Sequence, residues 1–318
     1  MPMNASRTPE RVLHILTGCT AVGKTELALQ WAERFDAEIV SCDSLLFYRG
    51  MDIGTAKPSC SELARVPHHL IDVCEVTDQM DITRYVVSAR EAVESIFARG
   101  RRVLVTGGSG FYLKSFLAPV ADAVDVPGAI RDRVRVLPLD QALAELRALN
   151  PAGLGKLDVA NPRRVARALE RCLASGRTVL ELAEAFANQP PAFADWTLRV
   201  VRVDRQKVDL DRRISERVAA MMNAGLVDEV RRLLPLGIER NPSAASAIGY
   251  REVIAALSSP AMPDDLAELI CRNTQALVKK QRTWFRTQLP PHRVLDAAVA
   301  EPQTLFEDHP VGEAGARL

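Results

Sequence analysis

Short apolar runs and helical patterns alternate along the first third of the chain. The run "RVLHILTG" (11–18) is nearly continuous in apolar residues and predicts a buried strand. "KTELALQWAERF" (24–35) spaces its apolar residues at three- and four-residue intervals, the mark of an amphipathic helix, and "AEIVSCDS" (37–44) predicts a second strand. A long helix follows over about 81–99, with Gly100 as its stop, and leads into a third strand, "RRVLVTGG" (101–108). Strands separated by helices are the signature of βαβ units, so the expected class is α/β with a parallel sheet.

From about 118 to 196 the strand-like runs disappear and the pattern becomes helical, punctuated by Pro119, Pro127, Pro138, Pro151 and Gly153. Within it, "NPRRVARALERCLASG" (161–176) carries a helix start in Asn161 and Pro162 and a stop in Gly176. "TLRVVRVD" (197–204) restores a strand, and helices are expected over 210–225 and about 264–288. The predicted organisation is a core begun by 11–118, a helical insertion at 119–196, and completion of the core by 197–290. Loose ends are expected at 1–10 and 301–318.

Composition narrows this picture only a little. A net charge of +1 does not announce a nucleic-acid binder, so any such surface must be local. The six cysteines show no C-x-x-C spacing and no paired histidines at zinc-finger distances, which predicts reduced, structural thiols. Neither a signal-peptide core nor a run of about 20 apolar residues occurs, and a soluble, cytoplasmic protein away from the membrane is expected.

The chemistry begins at "GCTAVGKT" (18–25), which satisfies G-x-x-x-x-G-K-[ST] between a predicted strand and a predicted helix. Such a loop turns backbone N–H groups toward an anion at a helix N-terminus. Gly18, Thr20, Ala21, Val22, Gly23, Lys24 and Thr25 are therefore candidate ligands of a di- or triphosphate, with the Thr25 hydroxyl a candidate ligand of Mg²⁺. A P-loop kinase normally has an acid ending a later strand, yet here that strand ends "VLVTGGSG". The acid ends the second strand instead, as Asp43, where it lies near the loop and can take a proton from a nucleophile. Ser109 in "GGSGFYL" offers a hydroxyl at the same edge of the sheet.

Two basic stretches suit RNA. Arg163, Arg167 and Arg171 share a helix face, with Arg164 beside them. "KKQRTWFR" combines Lys279, Lys280, Arg282 and Arg286 with Trp284 and Phe285, a mixture suited to phosphate contact and base stacking, or to a solvated face with its aromatics turned inward.

The ordered blocks "GCTAVGKT", "DSLLFYRGMDIGTAKP" (43–58), "PHHLID" (67–72), "TGGSGFYLK" (106–114), "RRVARALE" (163–170), "GLVDEVRRLL" (225–234), "AIGYRE" (247–252) and "KKQRTWFR" (279–286) resemble those of bacterial tRNA dimethylallyltransferases. The resemblance spans about residues 11–290. It implies a P-loop NTPase-like parallel-sheet core with an inserted all-helical domain that grips the anticodon stem-loop of tRNA. It also implies transfer from dimethylallyl diphosphate to N6 of adenosine 37, by a monomer using Mg²⁺.

Carried over to this chain, the resemblance makes Asp43 the base, Lys24 and Thr25 the partners of the diphosphate and its Mg²⁺, Ser109 a hydroxyl near the reacting centre, and Arg213 and Arg217 diphosphate ligands. The chain departs from the family's usual letters at Cys19 and Val22 in the loop, at Ser109, at Leu45, Leu46 and Phe47 after Asp-Ser, and at Asn161. From the loop alone, a P-loop kinase of small molecules or nucleotides is the alternative, and the basic helices also permit a non-catalytic RNA binder.

Overall fold

A strand that is apolar on both faces has to be covered on both sides, and β1 (Val12–Gly18) is such a strand. Leu13, Ile15 and Leu16 are fully buried, and the polar His14 and Thr17 among them are buried too. In the computed structural model, which describes residues 10–120 and 124–307, β1 leads into α1 (Lys24–Arg34), β2 (Ala37–Ser41), α2 (Cys60–Arg65), β3 (His68–His69), α3 (Ile82–Ala98), β4 (Arg102–Gly107) and α4 (Gly110–Leu117). Four helices follow: α5 (Gly128–Arg135), α6 (Leu139–Ala148), α7 (Pro162–Ser175) and α8 (Val179–Ala187). The chain then forms β5 (Thr197–Asp204), α9 (Lys207–Asn223), α10 (Leu226–Leu236), α11 (Pro242–Ala245), α12 (Tyr250–Leu257), α13 (Leu266–Gln288) and β6 (Arg293–Asp296).

All six strands are parallel, in the order β3-β2-β4-β1-β5-β6. β1 lies between β4, with Leu13 opposite Val103, and β5, with Val12 opposite Thr197. A parallel register brings the carboxyl ends of β1, β2, β4 and β5 to one edge of the sheet, where ligands bind in open α/β folds. β3 and β6 escape a reading of hydrophobic pattern for a simple reason. One is a pair of histidines, and the other is only four residues long with every second one exposed.

The described residues form two compact units, one made of those up to Leu117 with those from Ala192 onward, the other of those from Ala118 to Pro191. The second unit is helical and has its own core, in which Val134, Leu146, Val165 and Leu169 are buried. Its α7 starts as the sequence predicts: the Asn161 side chain accepts hydrogen bonds from the Arg163 and Arg164 amides, and Pro162 opens the first turn. No described helix is long and apolar enough to cross a membrane.

Two boundaries differ from expectation. Residues 192–196, assigned above to the insertion, belong to the first unit, where Phe193 stacks on Phe116 at 4.6 Å and Trp196 meets Phe97 edge-on at 5.2 Å. The expected loose tail also fails over 301–307: Leu305 is fully buried, and the Phe306 ring meets both His14 and Trp31 at 5.0 Å. Polar composition around these two residues conceals their burial. Positions 1–9 and 308–318 lie outside the described residues.

The cover over His14 has a measurable consequence. Its ring donates Nδ1–H to the Val103 carbonyl at 3.3 Å, and burial between Trp31 and Phe306 pushes its pKa down to about 4, although the Val103 bond pulls the other way. A histidine titrating lower in the folded than in the unfolded chain takes up its proton preferentially on unfolding, so stability falls as pH drops below about 6.5 and goes on falling towards the folded value. Between pH 7 and pH 5 this one group is expected to cost about 2 kcal/mol of folding free energy. Urea unfolding at the two pH values checks it, with a His14→Gln chain expected to lose less on acidification by about that amount.

Candidate active site

The loop from Gly18 to Thr25 joins β1 to α1, and α1 begins at Lys24 with no side chain capping its first amides. What shapes the loop is the fate of its carbonyls. The Lys24 ammonium donates to Gly18 O and Cys19 O, both at 2.8 Å, Arg213 Nε donates to Ala21 O at 2.9 Å, and Arg205 Nε donates to Val22 O at 2.8 Å. Three cations thus hold four carbonyls. Ala21 takes a left-handed conformation at φ 61°, which costs an alanine about 1 kcal/mol or more and persists because its neighbours are pinned.

Not every amide of the loop is free for an anion. Thr20 N–H donates to Gln281 Oε1 at 3.0 Å, and Val22 N–H reaches Cys19 O at 3.4 Å. The amides of Ala21, Gly23, Lys24 and Thr25 are the ones left to face a ligand at the positive end of α1. Thr20 and Val22 border the cavity with their amides already engaged, which corrects the expectation that all loop amides point at phosphate.

Beside the loop lies a cavity of about 520 Å³. Its wall carries polar and charged side chains, among them Lys24, Thr25, Asp43, Thr55, Arg213 and Arg217 as well as Glu26, Glu62 and Glu216, together with the apolar Ala28, Ile39, Leu46 and Ile71. Cations and apolar side chains on one wall suit a ligand with an anionic head and a hydrocarbon body. Burial pushes the Lys24 ammonium down to about 8 while the Asp43 carboxylate pulls it up. The Arg217 guanidinium is likewise lowered by burial and supported by Asp43. Arg217 also donates to the Thr55 carbonyl at 3.1 Å, and Asp43 Oδ1 accepts from the Leu45 amide at 3.0 Å, which fixes the carboxylate at the end of β2.

Lys24, Thr25, Asp43, Arg213 and Arg217 are therefore brought to one cavity. Ser109 is not in its wall, which on the β4 side consists of Thr106 and Gly107; Ser109 is half-buried just beyond, its carbonyl accepting from the Cys42 thiol at 4.0 Å.

The basic stretch on α13 divides. Lys279, Lys280 and Arg286 are exposed, whereas Arg282 pairs with Asp204 at 2.7 Å and also donates to the Arg205 carbonyl at 2.5 Å. Arg282 is thus a core ligand of the β5 end rather than a free RNA contact. Phe285 is fully buried, and Trp284 lies so close over Gly110 that a Cβ there would come within 2.4 Å of the indole. Arg282, Trp284 and Phe285 thus face the fold, while Lys279, Lys280 and Arg286 stay exposed.

Between these residues Gln281 does what no sequence pattern announced: Oε1 takes the Thr20 amide and Nε2 donates to Gly108 O at 2.9 Å, linking the phosphate loop to the loop after β4. Arg205 was missed for the same reason, since only the fold brings it to Val22. In the helical unit, Arg163 and Arg164 are exposed on the first turn of α7, Arg167 pairs with Glu170 at 3.2 Å, and Arg171 is half-buried with its pKa lowered by that burial.

The chain matches the IPP transferase family over residues 46–288. It is 65% identical over 297 residues to a curated tRNA dimethylallyltransferase of Opitutus terrae, covering 93% of this chain and 97% of that one. To the tRNA dimethylallyltransferase of Deinococcus radiodurans it is 38% identical, covering 87% and 90%. Among solved structures it resembles the tRNA isopentenylpyrophosphate transferase of Bacillus halodurans with a TM-score of 0.67 at 28% identity, covering 93% of each chain. It shares its fold, with a TM-score of 0.80 at 23% identity, with a eukaryotic dimethylallyltransferase acting on tRNA, covering 91% of this chain and 74% of that one.

The lowered Lys24 predicts a proton linkage. An anion bound beside the ammonium raises its pKa above about 8, so binding takes up a proton where the free lysine is neutral and affinity falls as pH rises through that value. Calorimetry of a diphosphate ester in buffers of different ionisation heat is expected to show uptake near zero at about pH 7 and approaching one proton at about pH 9.

Proposed function

The chain belongs to the IPP transferase family, whose curated members at high identity are tRNA dimethylallyltransferases, and from that premise we propose that the cavity beside Lys24 holds dimethylallyl diphosphate and delivers its allyl carbon to N6 of adenosine 37 in tRNA. The protein is a transferase that prenylates tRNA. The observation that carries the assignment of roles is the meeting of Asp43 with Lys24, Arg213 and Arg217 on one cavity whose wall also holds apolar side chains.

In this reading the diphosphate lies against the amides of Ala21, Gly23, Lys24 and Thr25, with Arg213 and Arg217 on its oxygens, and the dimethylallyl group faces Ile39, Leu46 and Ile71. The N6–C1 bond forms as the C1–O bond breaks. Its electron pair goes to the bridging oxygen, and the N6 proton goes to the Asp43 carboxylate. Charge grows on the diphosphate during that step, and fixed cations and amides placed there beforehand stabilise it without reorganising. Ser109 is kept as a hydroxyl near this centre on the strength of the motif and of its place beside Cys42, the neighbour of Asp43.

Mg²⁺ fits the residues present. Among the described residues no three His, Cys, Asp or Glu side chains gather to cage an ion. A hard cation that retains water and takes most of its oxygens from substrate needs only one or two protein ligands, and the Thr25 hydroxyl on the cavity wall is of that kind. Bound there, the ion would offset the negative charge of the diphosphate.

For the anticodon stem-loop we assign Arg163, Arg164, Arg167 and Arg171 on α7, together with Lys279, Lys280 and Arg286 on α13. Arg163 and Arg164 sit at the positive end of their helix, where cations are disfavoured in isolation, so an external anion such as RNA phosphate gives them a reason to be there.

Replacing Asp43 by Asn is expected to cut transfer of labelled dimethylallyl to unmodified tRNA by about a hundredfold or more, with affinity for dimethylallyl diphosphate within about a factor of two, since Asp43 acts on the nucleophile. Wild-type turnover by that variant refutes its role as base. Arg163→Ala with Arg167→Ala is expected to weaken tRNA binding and to lower the slope of log K against log salt by about 1 to 2; an unchanged slope moves the RNA surface elsewhere.

A further inference from the structure

Two of the blocks that identify the family, "GLVDEVRRLL" and "AIGYRE", contribute nothing to the cavity wall. They meet each other instead beneath the loop that follows β2. Glu229, on α10, is almost completely buried, and its carboxylate accepts four hydrogen bonds: from the Asp52 amide at 3.1 Å, the Ile53 amide at 2.8 Å, the Gly54 amide at 3.2 Å and the Tyr250 hydroxyl at 2.6 Å. Tyr250, from the start of α12, lies flush against the loop, since a Cβ on Gly54 would come within 2.5 Å of its ring. A buried carboxylate costs several kcal/mol unless its lone pairs are filled. Here all are filled by one short stretch of backbone and one phenol.

The stretch so held leads directly to the cavity. Thr55 follows Gly54, its hydroxyl donates back to Met51 O at 2.7 Å, and its carbonyl receives Arg217 at 3.1 Å. Thr55, Ala56 and Pro58 line the cavity, and Lys57 anchors the far side of the loop to Tyr48 O at 2.9 Å and to the Asp52 and Asp72 carboxylates. A continuous set of bonds therefore runs from Glu229 through three amides to the Thr55 carbonyl, and from there to the guanidinium that faces Asp43.

We infer that Glu229, braced by Tyr250, is a positioning residue for the diphosphate site: it holds the 52–55 backbone so that the Thr55 carbonyl aims Arg217 at the substrate. This rests on the reading of Arg217 as a diphosphate ligand. A carboxylate suits the task because it accepts from every donor around it. A glutamine in its place must turn an N–H toward backbone N–H groups or toward the tyrosine hydroxyl, which loosens the loop without emptying the space.

The test is a double-mutant cycle on Glu229→Gln and Arg217→Lys, read as Kd for dimethylallyl diphosphate and as KM for each substrate. Glu229→Gln is expected to raise Kd and KM for dimethylallyl diphosphate about tenfold while leaving KM for tRNA within about twofold. In the Arg217→Lys background the same change is expected to add less than about twofold, because the group it aims is already gone. Additive losses, or equal losses toward both substrates, overturn the inference and leave Arg217 as a ligand. An unchanged Kd in Arg217→Lys alone removes the diphosphate reading of Arg217 and the inference with it. Should Glu229→Gln fail to fold, Tyr250→Phe removes a single donor and carries the same cycle, with about a threefold rise expected and no rise counting against the coupling.

Discussion

A phosphate loop works only if its carbonyls are kept away from the anion, and in this protein that is done by cations rather than by the loop itself. Lys24, Arg213 and Arg205 between them take the carbonyls of Gly18, Cys19, Ala21 and Val22. Of the peptide units so held, the one between Val22 and Gly23 keeps its N–H for the cavity, and Lys24 and Arg213 add positive charge to the cavity wall. Shape and charge come from the same bonds. Because Arg205 and Arg213 come from beyond β5 and Lys24 from α1, the cradle exists only when the sheet has brought these segments together.

Helix α13 is the second support. Its Gln281 joins the Thr20 amide to the Gly108 carbonyl, its Arg282 holds Asp204 at the end of β5, its Trp284 covers Gly110, and its Phe285 is sealed in the core. The strand ends around β1 are thus fastened from one side by little more than one turn of a single helix. Glu229 and Tyr250 fasten the other wall through the 52–54 amides. Groups that must meet a substrate within a few tenths of an ångström are carried on loops, and loops hold such positions only when bonded to rigid elements on both sides.

Much of this was legible beforehand, for identifiable reasons. β1, β2 and β4 were readable because strands buried on both faces leave nearly unbroken apolar runs, and β5 because it is rich in β-branched valines. α7 announced its start through Asn161 and Pro162 because capping is a local interaction between neighbours in the chain. The loop and Asp43 were picked out by local motif and strand pattern, and Arg213 and Arg217 through the family resemblance; all four of Lys24, Asp43, Arg213 and Arg217 line one cavity. Arg282 was expected at the RNA surface and the direction of Trp284 and Phe285 was left open, because charge and aromaticity do not say which way a helix faces, and the burial of Phe306 was hidden by the polar residues around it.

What the chain determines by itself is whatever depends on residues close in sequence: strands, helices, their caps, a phosphate loop followed by a helix, and an acid at the end of the second strand. What only the tertiary structure decides is which distant groups complete them. Gln281 meets a residue 261 positions away, Glu229 meets amides 175 to 177 positions away, and Arg205 meets one 183 away. Hydrogen bonds are short and directional, so such partners are set by the packing of whole helices against the sheet, and no periodicity along the chain records that packing.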